Sequence, residues 1–162
     1  MSVRKFGAPW GREVKIVTLL GLGAMLGPFY MVVEHGAIVV GTVLTAINLV
    51  IVSLCVRGYE LAPGELRIQR SLWMTRWPLD PSTRAIVRPY AMKGSWRTWG
   101  NGGMLAISGH FSGSGLGRYR AFVTDPKRTV VLETQRGIVV VSPDNPQSFA
   151  ECVTTVLQGR SR

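Results

Sequence analysis

Apolar residues are spread unevenly along this chain: two uncharged runs dominate the stretch from residue 16 to residue 56, and short alternating segments follow. The first run, 16–33 (IVTLLGLGAMLGPFYMVV), has 18 residues and the second, 37–56 (AIVVGTVLTAINLVIVSLCV), has 20. At a rise of 1.5 Å per residue, about 20 helical residues cross a hydrocarbon layer of about 30 Å. Each run predicts a membrane-spanning helix, the first at the lower limit of length. Only Glu34, His35 and Gly36 separate them, so the spacing predicts a tight helical hairpin. A cleaved signal peptide fits less well, because no A-x-A-like site follows the first run and the second begins at once. Burial inside a soluble core fits poorly too, since a chain of 162 residues leaves too little protein to cover both runs.

Charge orients the hairpin. Arg4, Lys5, Arg12 and Lys15 precede the first run and Arg57 follows the second, while the connection holds no Lys or Arg. The positive-inside rule then places both termini in the cytoplasm, with two spans in the cell membrane. Trp10 and Tyr59 flank the spans at the depth of the headgroups. Small residues recur four apart, at Gly23 and Gly27 and at Ala37, Gly41 and Thr45, a spacing that lets helix backbones approach closely in lipid. Asn48, the only amide in either run, seeks a partner across a helix interface or in a homodimer. Pro28 is expected to kink the first helix.

The pattern then changes to strands. Tyr59–Leu61 and Glu65–Arg70 flank Ala62-Pro63-Gly64 as a hairpin, with Leu66 and Ile68 alternating with Arg67 and Gln69. Further strands are predicted at 73–79, 85–88, 104–111, 116–124, 129–134 and 138–142. At the end Asn145 can cap a helix whose first residue is Pro146, with Phe149, Cys152, Val153, Val156 and Leu157 on one apolar face. The fold class is a membrane α-helical hairpin plus an α+β domain of short antiparallel strands closed by one helix. The division falls at residues 1–57 and 58–162.

The order of these elements resembles the bacterial pleckstrin-homology-like domains. The resemblance covers roughly 58–157 and rests on Tyr59-Glu60-Leu61 leading to Leu66-Arg67-Ile68, on Arg76-Trp77-Pro78-Leu79, on Tyr119 to Leu132, and on Ser142-Pro143-Asp144-Asn145-Pro146 with Phe149. It implies a bent, partly open antiparallel β-barrel or sandwich plugged at one end by the C-terminal helix, behind a two-helix anchor. It implies binding of lipid, peptide or protein and no particular activity.

Residues 57–162 carry fifteen Lys or Arg against seven Asp or Glu, most of the chain's net +10. Held at a membrane, such a domain is attracted to the anionic inner leaflet by about 1 kcal/mol per cation near the surface. The stretch 90–120 holds eight glycines and interleaves Lys93, Trp96, Arg97 and Trp99 with Arg118, Tyr119 and Arg120. These seven are the candidate contacts to anionic lipid or another ligand, on what reads as a Gly-rich loop. The alternative is a plain connection whose Trp96 and Trp99 tuck onto the barrel, or a contact for a protein partner.

Catalysis finds no parts. Lys93-Gly94-Ser95 lacks the context of a phosphate loop, and Gly113-Ser114-Gly115-Leu116-Gly117 is not followed by a βαβ unit. His110, alone after residue 57, reads as an ordinary strand residue, so no triad, metal site or cofactor is expected. Cys55 and Cys152 suggest no disulfide framework. Nucleic acid would suit the charge, but tethering at a membrane disfavours it. The reading is a membrane-anchored, non-catalytic binding or scaffolding protein; the alternative is an accessory subunit whose hairpin assembles with a larger membrane complex.

Overall fold

The computed structural model describes residues 3–21, 23, 38–53, 55–102, 106–113 and 115–158. Short strands pair into two sheets. The first holds β1 (Arg4–Gly7), β2 (Val56–Ala62), β3 (Glu65–Arg70) and β4 (Met74–Pro78), in that order. The second holds β5 (Arg84–Val87), β6 (Ser95–Gly102), β7 (Ile107–Gly113), β8 (Gly117–Val123), β9 (Val130–Thr134) and β10 (Gly137–Val141), ordered β5-β9-β10-β8-β7-β6. Residues 12–21 are helical (α1). Helix α2 spans Ile38–Ser53 and α3 spans Pro146–Gln158.

The core lies between the sheets and is closed by α3. Tyr59, Leu61, Leu66, Ile68 and Trp77 from the first sheet meet Phe122, Val130, Leu132, Val139 and Val141 from the second, with Phe149, Val153 and Leu157 of the helix. Alternate residues of β8–β10 face the other way. Tyr119, Ala121, Val123, Val131 and Val140 form a second apolar cluster with Ala91 and Phe111. Strands buried on both faces read as continuous apolar runs, which is why Val130-Val131-Leu132 and Ile138-Val139-Val140-Val141 show no alternation.

Helix α3 begins as its sequence predicts: Asn145 Oδ1 accepts from the Ser148 amide at 3.1 Å, with Pro146 as the first helical residue. Phe149 is fully buried. Phe6 meets it edge-on at 5.1 Å and Tyr59 at 6.4 Å.

Four sequence expectations change. The strands are not all antiparallel: β10 runs parallel to β8, with Ile138 beside Tyr119 and Val141 beside Phe122. The chain reverses after β8 through a 3-10 turn at Pro126–Arg128 and reverses again in the β9–β10 hairpin, which restores the direction of β8. The Gly-rich stretch 90–120 is not a loop, because Ser95–Gly102 forms β6 and pairs with β7. Its glycines serve contact: Gly100 and Gly109 face each other, and a Cβ on either would meet the opposite backbone at 2.2–2.3 Å. Tyr59 is in the core and not at headgroup depth. Its hydroxyl donates to the Phe122 carbonyl at 2.5 Å and accepts from the Ser142 amide at 3.2 Å, and burial pushes its pKa up to about 12.

Fourth, the N-terminal residues read as tail supply β1. Arg4–Gly7 pairs antiparallel with Gly58–Leu61, Lys5 Nζ reaches Glu60 Oε1 at 3.1 Å, and the Asp144 amide donates to the Gly7 carbonyl. The apolar segment therefore leaves and returns at one end of the same sheet. Among the described residues no helix is long and apolar enough to cross a membrane. Most of the first predicted span, with Gly27, Pro28, Glu34, His35 and Ala37, lies outside the described residues, as does the side chain of Asn48. Gly23 has open space where a Cβ would stand, and Thr45 Oγ1 donates to the Gly41 carbonyl within its own helix.

Truncating the plug of the core tests this packing. Phe149→Ala should lower the stability of the full chain in detergent by about 3–5 kcal/mol, as for a buried aromatic. Chemical unfolding that matches the parent would show that α3 does not close the sandwich.

Candidate functional site

The two sheets do not close on each other where β4 and β6 form their edges, and a cleft opens there. It consists of two adjoining hollows that share Trp99, His110 and Arg120. One, of about 600 Å³, reaches Trp77, Arg118 and Arg136; the other, of about 560 Å³, reaches Arg70, Trp73 and Ser108. Ladder register fixes their direction. Arg70 stands opposite Val56 and the Ser71 amide donates to the Cys55 carbonyl, so the second hollow lies at the end where α2 returns to the sheet. Trp77 and Arg136 lie toward the other end.

Five arginines, Arg70, Arg97, Arg118, Arg120 and Arg136, line this cleft and, among the described lining residues, no carboxylate does. Three of the guanidiniums rest on aromatic rings. Arg70 lies 5.6 Å from the ring centre of Trp73 and 5.0 Å from that of Phe122. Arg120 lies 5.8 Å from Trp77 and 5.4 Å from Phe122, and Arg136 lies 5.0 Å from Trp77. Nε of Arg70 and Nε of Arg120 are buried without a hydrogen-bond partner among the described residues. Burial lowers the pKa of both, and the neighbouring charge lowers it further: Arg120 acts on Arg70, Arg136 on Arg120. Both remain cations at neutral pH.

Magnitudes show that the protein holds these guanidiniums together at a net cost. A cation on a ring gains about 0.5–1 kcal/mol when exposed and about 2 kcal/mol when desolvated. Complete removal of an ion from water costs several kcal/mol, of which these partly buried guanidiniums bear only a fraction, and here like charges adjoin. The rings hold the guanidiniums in place and offset only part of that cost.

The seven residues singled out by sequence fall into separate groups. Trp99, Arg118, Tyr119 and Arg120 line the cleft. Lys93 and Arg97 line a different hollow beside α1, with Glu13, Tyr90 and Met92, although Arg97 also borders the cleft. Trp96 and Trp99 do not tuck onto the barrel; they are 81% and 78% exposed on the edge strand. Tyr119 is buried, stacked on Phe111 at 5.9 Å with its hydroxyl donating to Ser95 Oγ at 2.6 Å, so it supports β6 from behind. Sequence reasoning missed Arg70, Trp73, Trp77, Arg136 and His110. The Arg-Ser-Leu-Trp and Arg-Trp-Pro segments carried the same pairing of cation and indole, but lie outside the Gly-rich stretch that drew attention.

The end of the sandwich beside the apolar segment has its own character. Leu72, Trp73 and Met74 in and beside the β3–β4 turn are exposed, as is Trp10 ahead of α1. Arg57 is exposed at the start of β2. Among the described residues no cluster of His, Cys, Asp or Glu could hold a metal ion.

Residues 57–156 match the family model described as Bacterial PH domain. No curated protein and no solved structure matches the chain.

Exposure separates the tryptophans in a way that substitution reads directly. Trp96→Ala and Trp99→Ala should each change stability by no more than about 0.5 kcal/mol. Trp77→Ala, which removes a buried ring and its hydrogen bond to Thr134 Oγ1, should cost about 3–5 kcal/mol. Equal losses in chemical unfolding of the three variants would contradict this placement.

Proposed function

The chain belongs to the bacterial PH domain family, and from that premise we propose that it is a non-catalytic binding module tethered to the cell membrane by its apolar segment, 16–56. The family supports a binding role. The tether is supported above all by one observation, the pairing of β1 with β2. Gly7 lies beside Gly58, so everything between them departs from and returns to one end of the domain. A segment with both ends held on one side enters and leaves a bilayer on that side, as a two-span hairpin does.

Side-chain exposure agrees with this reading. In α2, Val39, Val40, Val43, Ile47, Leu49, Val50 and Val52 are exposed, positions that go round the helix and not along one face. A helix apolar on every side calls for a surrounding apolar phase. The tether would bring Trp10, Leu72, Trp73 and Met74 to the interface, where indoles favour the headgroup level. Arg12, Lys15, Arg57 and Arg70 would face the anionic inner leaflet. The cleft, opening beside them along β4 and β6, is the ligand site, with Trp99, Arg118 and Arg120 in it. Lys93 and Arg97 add positive charge next to α1.

Topology is tested in intact cells. With Cys152 replaced by Ser, a cysteine placed by His35→Cys should react with a membrane-impermeant thiol reagent, and one placed by Ser161→Cys should not. The protein should sediment with membranes and resist extraction at high salt. Recovery in the supernatant, or labelling through Ser161→Cys without permeabilisation, would overturn the proposal.

A further inference from the structure

We infer that the cleft between β4 and β6 is a phosphate site, built to take a phosphoryl group at Arg120, the arginine both hollows share, with Arg70 toward one end of the cleft and Arg136 toward the other. The inference rests on reading the domain as a binding module and uses no property of the membrane segment.

Guanidiniums come to this place from separate elements: Arg70 from the end of β3, Arg118 and Arg120 from β8, and Arg136 from the β9–β10 turn. Such convergence is not a solvated charged face, because Arg70 and Arg120 are partly buried and each leaves Nε without a partner among the described residues. Nor is it an internal ion-pair network. The chain's ion pairs among the described residues join Lys5 to Glu60, Arg67 to Glu65 and Arg128 to Asp125, all elsewhere.

Missing from the cleft, among the described residues, is negative charge. A carboxylate supplies one charge and two oxygens. A phosphate monoester supplies between one and two charges at neutral pH and three acceptor oxygens, enough for several guanidiniums, and the planar N–H fork of arginine fits those oxygens better than the ammonium of lysine does. The aromatic faces of Trp73, Trp77 and Phe122 already hold the arginines, so little side-chain ordering remains when the anion arrives. Ser108 Oγ accepts from Arg70 Nη2 at 2.9 Å and keeps its head turned toward β7. Exposed Trp99 at the mouth offers a flat apolar surface to whatever the phosphate is esterified to. A phospholipid headgroup and a soluble phosphoryl compound share this chemistry.

The test uses the full chain in a neutral detergent and follows tryptophan emission and melting temperature. The probes are inorganic phosphate, sodium acetate and sodium chloride at equal ionic strength, and dihexanoyl phosphatidic acid below its micellar concentration. Phosphate should shift the emission and raise the melting temperature where chloride and acetate do not. Binding of the short-chain lipid at least tenfold tighter than phosphate assigns the site to a lipid headgroup, and equal binding assigns it to a soluble phosphoryl compound. Arg120→Gln should weaken phosphate binding at least tenfold while leaving the melting temperature of the unliganded protein equal or higher, since it removes a partly buried, repelled charge. Arg136→Gln, at an exposed position in the β9–β10 turn, should weaken binding in the same direction. Phosphate acting no differently from chloride would overturn the inference, and so would variants that bind like the parent. Acetate binding as tightly as phosphate would also overturn it, while leaving a binding module for other anions in place.

Discussion

The pairing of four N-terminal residues with the strand that follows the apolar segment is the constraint on which the rest of the structure depends. Strand β1 extends the first sheet beyond β2 and carries Phe6 against Phe149, so it fastens the sheet to the closing helix. Lys5 meets a glutamate that is only 6% exposed, and Gln69 Nε2 donates to the same oxygen at 2.7 Å. The Gly11 amide reaches across to the Thr124 carbonyl at the end of β8. Entry to α1 and return from α2 are thereby fixed at one end of the sandwich, with β1 and β2 lying side by side. On the proposed tethering, the direction of the domain relative to the membrane follows from that.

Stability and binding are divided between regions. Strands β8 to β10 have apolar residues on both faces and need no charged residue to hold them. Across the sheets, Tyr59 and Ser142 satisfy each other and the backbone at the end of β8, a buried polar network with its donors and acceptors matched. The cleft shows the opposite: cations adjoin cations, and Nε of Arg70 and of Arg120 has no acceptor among the described residues. Sequences violate the rules of folding at sites of function, and here the violation is confined to one opening between sheet edges.

Much of the fold was legible from pattern. The β2–β3 and β9–β10 hairpins, the strands around Trp77 and Ala85, and the capped helix at Pro146 each carry local signals, namely alternation, a turn residue and an N-cap. Nothing local marks Arg4–Gly7 as a strand, since its pairing partner lies more than fifty positions away. Nothing in 90–102 distinguishes a Gly-rich loop from an edge strand whose glycines permit close contact with β7. The parallel placement of β10 arises from two successive reversals, a property of topology and not of composition. The candidate site was visible in part. Cations alternating with indoles pointed to Trp99, Arg118 and Arg120, but Arg70, Trp77 and Arg136 join them only through long-range packing. Tyr119, adjacent in sequence to Arg118 and Arg120, borders the cleft but packs its ring on Phe111, because side chains alternate along a strand.

The central claim is that this family member stands on a bilayer by the end that carries the β3–β4 turn, with its cleft opening beside the surface. Trp96 sits near the far end of β6, about 20 Å along the strand from Gly102 at roughly 3.3 Å per residue. Tryptophan quenching by lipids brominated on their acyl chains measures this arrangement most directly, with the full chain reconstituted in bilayers. Trp73→Phe should remove a large part of the quenching, whereas Trp96→Phe should leave it unchanged. Quenching that survives Trp73→Phe and falls with Trp96→Phe would contradict the account.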